Sequence, residues 1–249
     1  MNKPDFDTAK VCFEDASEVK KTNTATYLGI TCNSKATQLT NLTQRLGKAS
    51  DTFNKLQLFW RHINISNKMK LRFFKQIFYP MVLYGLEYST ITHHMENKLD
   101  AWQARHIRRV LDIKASMISH ITNQEVLTRA VQAPLSAHVY SRQLKYLGHV
   151  LRRDTNNTEY SVCFTSAGNH ANIRGKRRVG RPKYHWAPSL MESISKRRPT
   201  SNTDQMHALI PSSTSLLRPF RDLAGSACWK SLVAAPTRIT TRIGHTRTG

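Results

Sequence analysis

The strongest constraint on the fold is a run of apolar residues that repeats with helical spacing. Between residues 39 and 60 the apolar positions step by intervals of three and four. This spacing places them on one face of an α-helix and leaves polar residues on the other. The residues that define the face are Leu39, Leu42, Leu46, Ala49, Phe53, Leu56 and Trp60. The sequence therefore predicts a long amphipathic helix that buries one side.

Four further helices are predicted downstream, with start or stop signals for most of them. Ser66 is a candidate N-cap for the second helix, whose Phe-rich stripe runs into Pro80, where a helix kinks or ends. The third is expected from about Glu96 to Ile113. A capping box from Thr122 to Glu125 starts the fourth, and Pro134 precedes the fifth. Five helices with short links predict a mainly α, bundle-like body.

The two ends of the chain differ from this body. The β-branched segment over residues 26–31 is typical of a short strand, so a small β element is expected before the helices. After Asp154 the helical pattern fails, and only Trp186 to Ile194 fits another short helix. From Lys196 onward Ser, Thr, Pro and Arg dominate, which predicts a disordered basic C-terminal tail.

The charge is strongly unbalanced. The chain has 38 Lys and Arg against 16 Asp and Glu, a formal net charge of +22 on 249 residues. Acidic residues are absent from 52 to 86 and again from 126 to 153, while Lys and Arg recur in both stretches. Because so large a charge repels itself, the composition indicates a polyanionic partner such as nucleic acid.

A helical-wheel projection, with 100° per residue, places Lys and Arg side chains opposite the apolar stripe on three of the predicted helices. Like charges on one helix face lose a few tenths of a kcal/mol per pair, so a solvated face usually mixes signs. We therefore expect these faces to contact phosphates. The residues concerned are Lys68, Arg72 and Lys75 on the second helix, Arg105, Arg108 and Arg109 on the third, and Arg142, Lys145, Arg152 and Arg153 on the fifth.

A dense cationic run follows between residues 176 and 183, at a Gly-Arg-Pro sequence. Gly180-Arg181-Pro182 resembles the AT-hook, which lies in A·T-rich minor grooves, but Val179 replaces its first arginine. A flexible phosphate-binding strap or a nuclear-localisation run are the other interpretations. The cations of this strap are Lys176, Arg177, Arg178, Arg181 and Lys183.

Several short motifs occur in a familiar order. They are Tyr27-Leu28-Gly29, Lys55-Leu56, Trp60-Arg61, Lys70-Leu71-Arg72, Leu83-Tyr84-Gly85-x-Glu87, Arg108-Arg109-x-Leu111, Asn123-x-Glu125-Val126-Leu127, Leu147-Gly148-His149-x-x-Arg152 and Gly180-Arg181-Pro182-x-x-x-Trp186. From about residue 10 to 190 this order resembles the region downstream of the catalytic palm in reverse transcriptases of non-LTR (LINE-type) retrotransposons.

The resemblance implies a division of the chain. Residues 1–35 correspond to the end of the palm with a primer-grip-like strand, 36–131 to a helical thumb, 132–195 to a C-terminal linker with the basic strap, and 196–249 to the disordered tail. Tyr27, Leu28 and Gly29 are then expected near a primer end. RNA, DNA or an RNA–DNA hybrid is the implied ligand, and the missing upstream polymerase polypeptide is a possible partner.

No independent chemistry is expected from this chain. Polymerases hold two metal ions with paired carboxylates, and the chain has no Asp-Asp pair, so the resemblance puts the catalytic motif and its divalent metals upstream of Met1. We therefore expect no catalytic residue, no metal ligand, no cofactor and no enzymatic activity. The four cysteines lie too far apart for a zinc ligand pair. Without a signal peptide or a membrane-length apolar run, the expected location is intracellular, in the nucleus or cytoplasm.

Two other interpretations stay open. The chain is alternatively a helical, AT-hook-like DNA-binding or chromatin-associated adaptor, or a transposon relic with no selected function.

A thumb normally packs on its palm, so Phe73, Phe74, Phe78 and Trp102 are expected to form an exposed patch if the palm is absent.

Overall fold

A computed structural model describes residues 24–27, 30–33, 38–62, 64–164, 186–196, 217–225, 229–230 and 233. The chain divides into two units, residues 1–41 and 42–249. Within the described part the fold is mainly helical, which confirms the predicted fold class, and a small β element precedes the helices.

The β element is a hairpin rather than the single strand expected over residues 26–31. Strands β1 (Thr24–Tyr27) and β2 (Ile30–Asn33) pair antiparallel, with Tyr27 opposite Ile30. Only two residues separate these partners, which is the length of a tight hairpin connection. The chain therefore reverses inside the segment that we expected to be continuous.

The helices follow in an order close to the prediction. The bounds are α1 (Gln38–Lys55), α2 (Gln57–Arg61), α3 (Asn67–Leu83), α4 (His93–Val110), α5 (Ser116–Ser119), α6 (Asn123–Arg129), α7 (Leu135–Arg152), α8 (Thr158–Cys163), α9 (Trp186–Lys196) and α10 (Leu217–Gly225). Ser66 and Thr122 act as N-caps by accepting hydrogen bonds from the backbone N–H groups of Met69 and Glu125, as expected.

The long helix predicted over residues 39–60 is interrupted at Leu56. Trp60 folds back from α2 so that its ring stacks on Phe53 at 4.8 Å, and its Nε1 donates to the Phe53 carbonyl at 3.0 Å. Stacking and a satisfied indole N–H favour the break over a continuous helix, because a buried Trp needs an acceptor. Phe53 and Trp60 thereby both enter the core.

Two apolar clusters stabilise the second unit, and α7 contributes to both. The first cluster joins α1, α2, α3, α4, α6 and the start of α7, with Phe53, Phe74 and Phe78 fully buried at its centre. The second joins the rest of α7 to α8, α9 and α10 through residues such as Leu147 and Phe220. The expected aromatic patch is therefore wrong for Phe74, Phe78 and Trp102, which are buried, whereas Phe73 is 39% exposed.

The predicted disorder of residues 196–249 needs one correction. Residues 217–225 form α10, which packs on α7 in the second cluster together with Trp229 and Val233. Pro219 occupies the third position of α10, within the first turn, where a helix tolerates proline because the N–H would be unpaired anyway. The rest of the segment lies outside the described residues.

Candidate nucleic-acid interface

Helix α3 carries the clearest cationic surface. Its 17 residues contain four Lys and Arg and no Asp or Glu. Lys68, Arg72 and Lys75 are exposed, as predicted, on the side away from the buried Phe74 and Phe78. The Lys75 Nζ lies 5.9 Å from the centre of the Tyr79 ring, a distance at which a cation is attracted to the ring face. This surface is called the α3 stripe below.

On α4 the structure separates the three predicted arginines. Arg105 and Arg109 are exposed. The Arg109 guanidinium lies 4.7 Å from the centre of the Phe53 ring, and its Nη1 donates to the Asn54 Oδ1 at 2.8 Å. Arg109 is therefore partly anchored to α1, whereas Arg105 extends from the helix into solvent.

Arg108 is buried, so its predicted place on the exposed face of α4 is wrong. Its side chain is 7% exposed. The guanidinium turns toward the chain that follows α4 and donates to the carbonyls of Lys114 and Ile121, to the Ser119 hydroxyl and to the Asn123 amide oxygen. A helical wheel misses this arrangement because the following segment, which includes α5, folds back over this side of α4. Arg108 thus holds a loop and is not available to a phosphate.

The predicted cations of α7 are also drawn into contacts within the protein. Arg142 is half-buried and its Nη1 lies 3.0 Å from the Glu87 Oε1. The Nη1 of Arg152 donates to the Ala224 carbonyl at 2.8 Å, at the C-terminal end of α10, where a cation is favourable. Arg153 lies 3.6 Å from Glu159. Each of these three arginines therefore has a contact within the protein, and Arg152 and Arg153 are exposed at the same time.

Lys145 faces a cavity between α7 and the C-terminal segment. The cavity measures about 520 Å³ and is lined by Lys145, Arg152, Ala224, Gly225, Trp229, Lys230 and Val233. Lys145 and Arg152 therefore line this cavity while remaining exposed, as predicted.

Other predicted contact residues lie partly or wholly outside the described residues. Tyr27 ends β1, whereas Leu28 and Gly29 are not described. The whole strap, with Lys176, Arg177, Arg178, Arg181 and Lys183, is likewise outside the described residues. Their expected roles stay predictions.

The buried His106 and the half-buried His138 lie near the exposed cations and are neutral at pH 7. Burial, with smaller contributions from Arg109 and Arg105, lowers the pKa of His106 to about 4. Burial also lowers the pKa of His138, and the positive charges of Lys75 and Arg142 act in the same direction. Neither histidine therefore adds positive charge to these surfaces at neutral pH.

A group of aromatic side chains near the end of α3 was not predicted from the sequence. Tyr84 and Tyr88 are 52% and 49% exposed. The Tyr88 ring lies 6.5 Å from the Tyr146 ring, which lies 5.4 Å from the Trp186 ring. Two tyrosines four residues apart, Tyr84 and Tyr88, were the visible signal, but their neighbours come from α7 and α9 and only the fold brings them together. Tyr84, Tyr88, Tyr146 and Trp186 are called the aromatic row below.

The described part of the chain contains no group of three His, Cys, Asp or Glu residues placed to hold a metal ion. None of the helices in the same part combines the length and the apolar character that a bilayer crossing requires.

No protein-family model, curated protein or solved structure matches this chain.

Proposed function

We propose that the helical unit binds the phosphate backbone of a template–primer nucleic acid, as the thumb of a non-LTR retrotransposon reverse transcriptase would. The α3 stripe carries this proposal: Lys68, Arg72 and Lys75 are exposed on a helix that has no acidic residue. A face that needed only solubility would gain from mixed charges. Arg105 and Arg109 on α4 supply a second contact.

The contact is electrostatic and follows shape rather than sequence. Lysine and arginine side chains that neutralise phosphates release counterions, which gives steep salt dependence without base preference. A thumb grips the A-form geometry that RNA duplexes adopt, so it distinguishes these duplexes from B-form DNA by shape. The proposal therefore predicts preference for RNA–DNA hybrid or duplex RNA over duplex DNA.

Fluorescence anisotropy with the full chain tests this function. An RNA–DNA hybrid, a duplex RNA and an A·T-rich duplex DNA are titrated across a salt series. Tighter binding of the hybrid or RNA, with affinity that falls steeply with salt, is the expected result. Equal affinity for all three ligands, or no binding by folded protein at moderate salt, would contradict it.

A matched pair of variants assigns the binding to the α3 stripe. Changing Lys68, Arg72 and Lys75 together to Gln should lower the affinity for all three nucleic acids. The control changes Lys48, Lys55 and Lys114 to Gln, which removes the same charge from other exposed positions. Equal weakening by both triples would indicate a general charge effect and no specific surface.

The A·T-rich duplex also addresses the adaptor interpretation. Preference for that duplex, lost in Arg181→Ala, would favour minor-groove binding by the Gly180-Arg181-Pro182 segment over the thumb function.

A further inference from the structure

Three rings of the aromatic row lie next to one another, and the fourth, Tyr84, lies beside a cation. Its ring centres are 5.4 to 6.5 Å apart from Tyr88 through Tyr146 to Trp186. The Arg45 guanidinium from α1 lies 5.4 Å from the centre of the Tyr84 ring. Burial raises the pKa of Tyr88, and the nearby Tyr84 and Arg45 have smaller, opposite effects on it.

The segment that carries Tyr84 and Tyr88 is held in place by its neighbours. Gly85 ends α3 with φ of 67°, a left-handed conformation that glycine adopts without strain. From α7, the Gln143 Nε2 donates to the carbonyls of Leu86 and Ser89, at 3.0 and 2.7 Å. The Trp186 Nε1 donates to the Glu87 carbonyl at 2.9 Å. The backbone that carries the two tyrosines is therefore held in one conformation before a ligand binds, so less conformational entropy is lost on binding.

Charge favours a polyanion at this surface. The Arg45 side chain is half-buried, and its Nη1 is buried without a hydrogen-bond partner among the described residues, so the guanidinium has an unsatisfied donor beside the Tyr84 ring. Two carboxylates lie nearby, and both are paired: Glu87 with Arg142 at 3.0 Å, and Glu159 with Arg153 at 3.6 Å. With a net charge of +22 on the whole chain, an anionic ligand is the complementary one.

We propose that the aromatic row binds an unpaired stretch of nucleic acid, with bases stacked on Tyr84 and Tyr88 and the backbone beside Arg45. The faces of bases are accessible in single strands, whereas in a duplex they are covered by their neighbours. This inference rests on the proposed function and extends it: the α3 stripe holds paired template–primer, and the aromatic row holds a single-stranded portion of the same nucleic acid.

Two oligonucleotides of equal charge test the inference on the unmodified full chain. One is an oligothymidylate of about 12 nucleotides, and the other is an abasic strand of the same length. Stacking is worth roughly 1–3 kcal/mol per base, so loss of the bases should weaken binding about tenfold or more. Equal affinity for the two strands would overturn the inference, and this comparison needs no variant.

Variants locate the site. Changing both Tyr84 and Tyr88 to Ala should weaken oligothymidylate binding about tenfold and leave abasic-strand binding unchanged. Tyr88→Phe keeps the ring and should retain most of the affinity. Val162→Ala, another exposed apolar position, is the control and should change nothing. Circular dichroism establishes that each variant is folded, and a double variant that bound oligothymidylate normally would overturn the inference.

The outcomes separate the two proposals. Duplex binding with a steep salt dependence but no effect of bases would refute the aromatic row alone. No binding of any nucleic acid would refute the proposed function and the inference with it. Aromatic rows also bind proline-rich peptides, so a polyproline peptide that bound more tightly than oligothymidylate, and lost affinity in Tyr88→Ala, would replace the inference with a protein partner.

Discussion

Arg108 shows how one side chain can leave a helix face and organise the chain that follows it. Its guanidinium supplies hydrogen-bond donors to four acceptors between residues 114 and 123. The adjacent Met117 and Ile118 are 88% and 66% exposed, so the loop has few apolar contacts of its own. The conformation of the loop therefore depends on these hydrogen bonds more than on packing.

We expect Arg108→Ala to lower the free energy of unfolding by about 3 kcal/mol, because it leaves several partly buried acceptors without a donor. Arg105→Ala is the matched control, since Arg105 is exposed one turn earlier on α4 and should change stability by less than about 0.5 kcal/mol. Urea unfolding followed by circular dichroism measures both. Similar values for the two variants would show that Arg108 is not structural.

His106 should make stability depend on pH. Its Nδ1 donates to the Trp102 carbonyl at 2.8 Å, and burial lowers its pKa from about 6.5 in the unfolded chain to about 4 in the folded one. As the pH falls through this window, the unfolded state takes up the proton first. The contribution to stability is therefore complete above about pH 6.5 and is lost, by at most about 3 kcal/mol, as the pH approaches 4.

Comparison of wild type with His106→Asn isolates this group, because Asn can donate the same hydrogen bond but does not titrate. Urea unfolding at several pH values should show a smaller loss of stability between pH 6.5 and 4 in the variant. Asp100, whose pKa burial raises, acts in the opposite direction in both proteins and cancels in the comparison. Parallel curves for the two proteins would contradict the assignment.

At the scale of elements, local signals predicted the long helices, and long-range packing explains several failures. Helix α8 was missed, because only Trp186 to Ile194 was expected to be helical after Asp154. Ser66 and Thr122 cap helices within three residues of themselves, so their effect is readable from sequence. The break at Leu56 depends on Trp60 reaching back to Phe53, and α10 depends on Phe220 finding α7. Pro80 was expected to kink or end α3, and the helix continues only to Leu83.

The packing of the C-terminal segment on α7 depends on Gly148. A Cβ at this position would lie 2.2 Å from the Trp229 Nε1 and 2.6 Å from its Cε2, so the indole has to move. We expect Gly148→Ala to destabilise the protein by about 1–3 kcal/mol, in spite of the higher helix propensity of alanine.

Gly47→Ala is the matched control, because Gly47 lies within α1 with nothing within 4 Å of its added Cβ. That variant should be more stable than wild type by about 0.5–1 kcal/mol. Urea unfolding and the tryptophan emission maximum are the measurements. If Gly148→Ala were stabilised as much as Gly47→Ala, the close approach of Trp229 would not exist in solution.

For the whole molecule, charge was predictable from sequence but its distribution was not. Composition gave the excess of cations, and the helical wheel correctly placed Lys68, Arg72 and Lys75 outside. The wheel treats every helix as isolated, so it assigned Arg108 to a free face that the following segment covers, and it could not show that the exposed Arg152 donates to Ala224. The aromatic row was not predicted for a similar reason: its members come from three separate parts of the chain, and only the fold brings them together.

The cations of the α3 stripe and those of α7, which have contacts within the protein, should differ in their effect on the salt dependence of nucleic-acid binding. Each phosphate contact contributes about −0.9 to the slope of log K against log salt for B-form duplex. Changing Lys68, Arg72 and Lys75 to Gln should therefore make the slope shallower by about 2–3. Changing Arg142, Arg152 and Arg153 to Gln removes the same charge but should alter the slope by less than about 1, because these side chains contact Glu87, Ala224 and Glu159.

Anisotropy titrations at several salt concentrations measure both slopes, and circular dichroism establishes that each triple variant is folded. The α7 triple should instead lower the stability of the second apolar cluster, because Arg152 caps α10. A larger change of slope in the α7 triple than in the α3 triple would place the nucleic acid on α7. In that case the nucleic acid would have to compete with Glu87, Ala224 and Glu159 for these side chains.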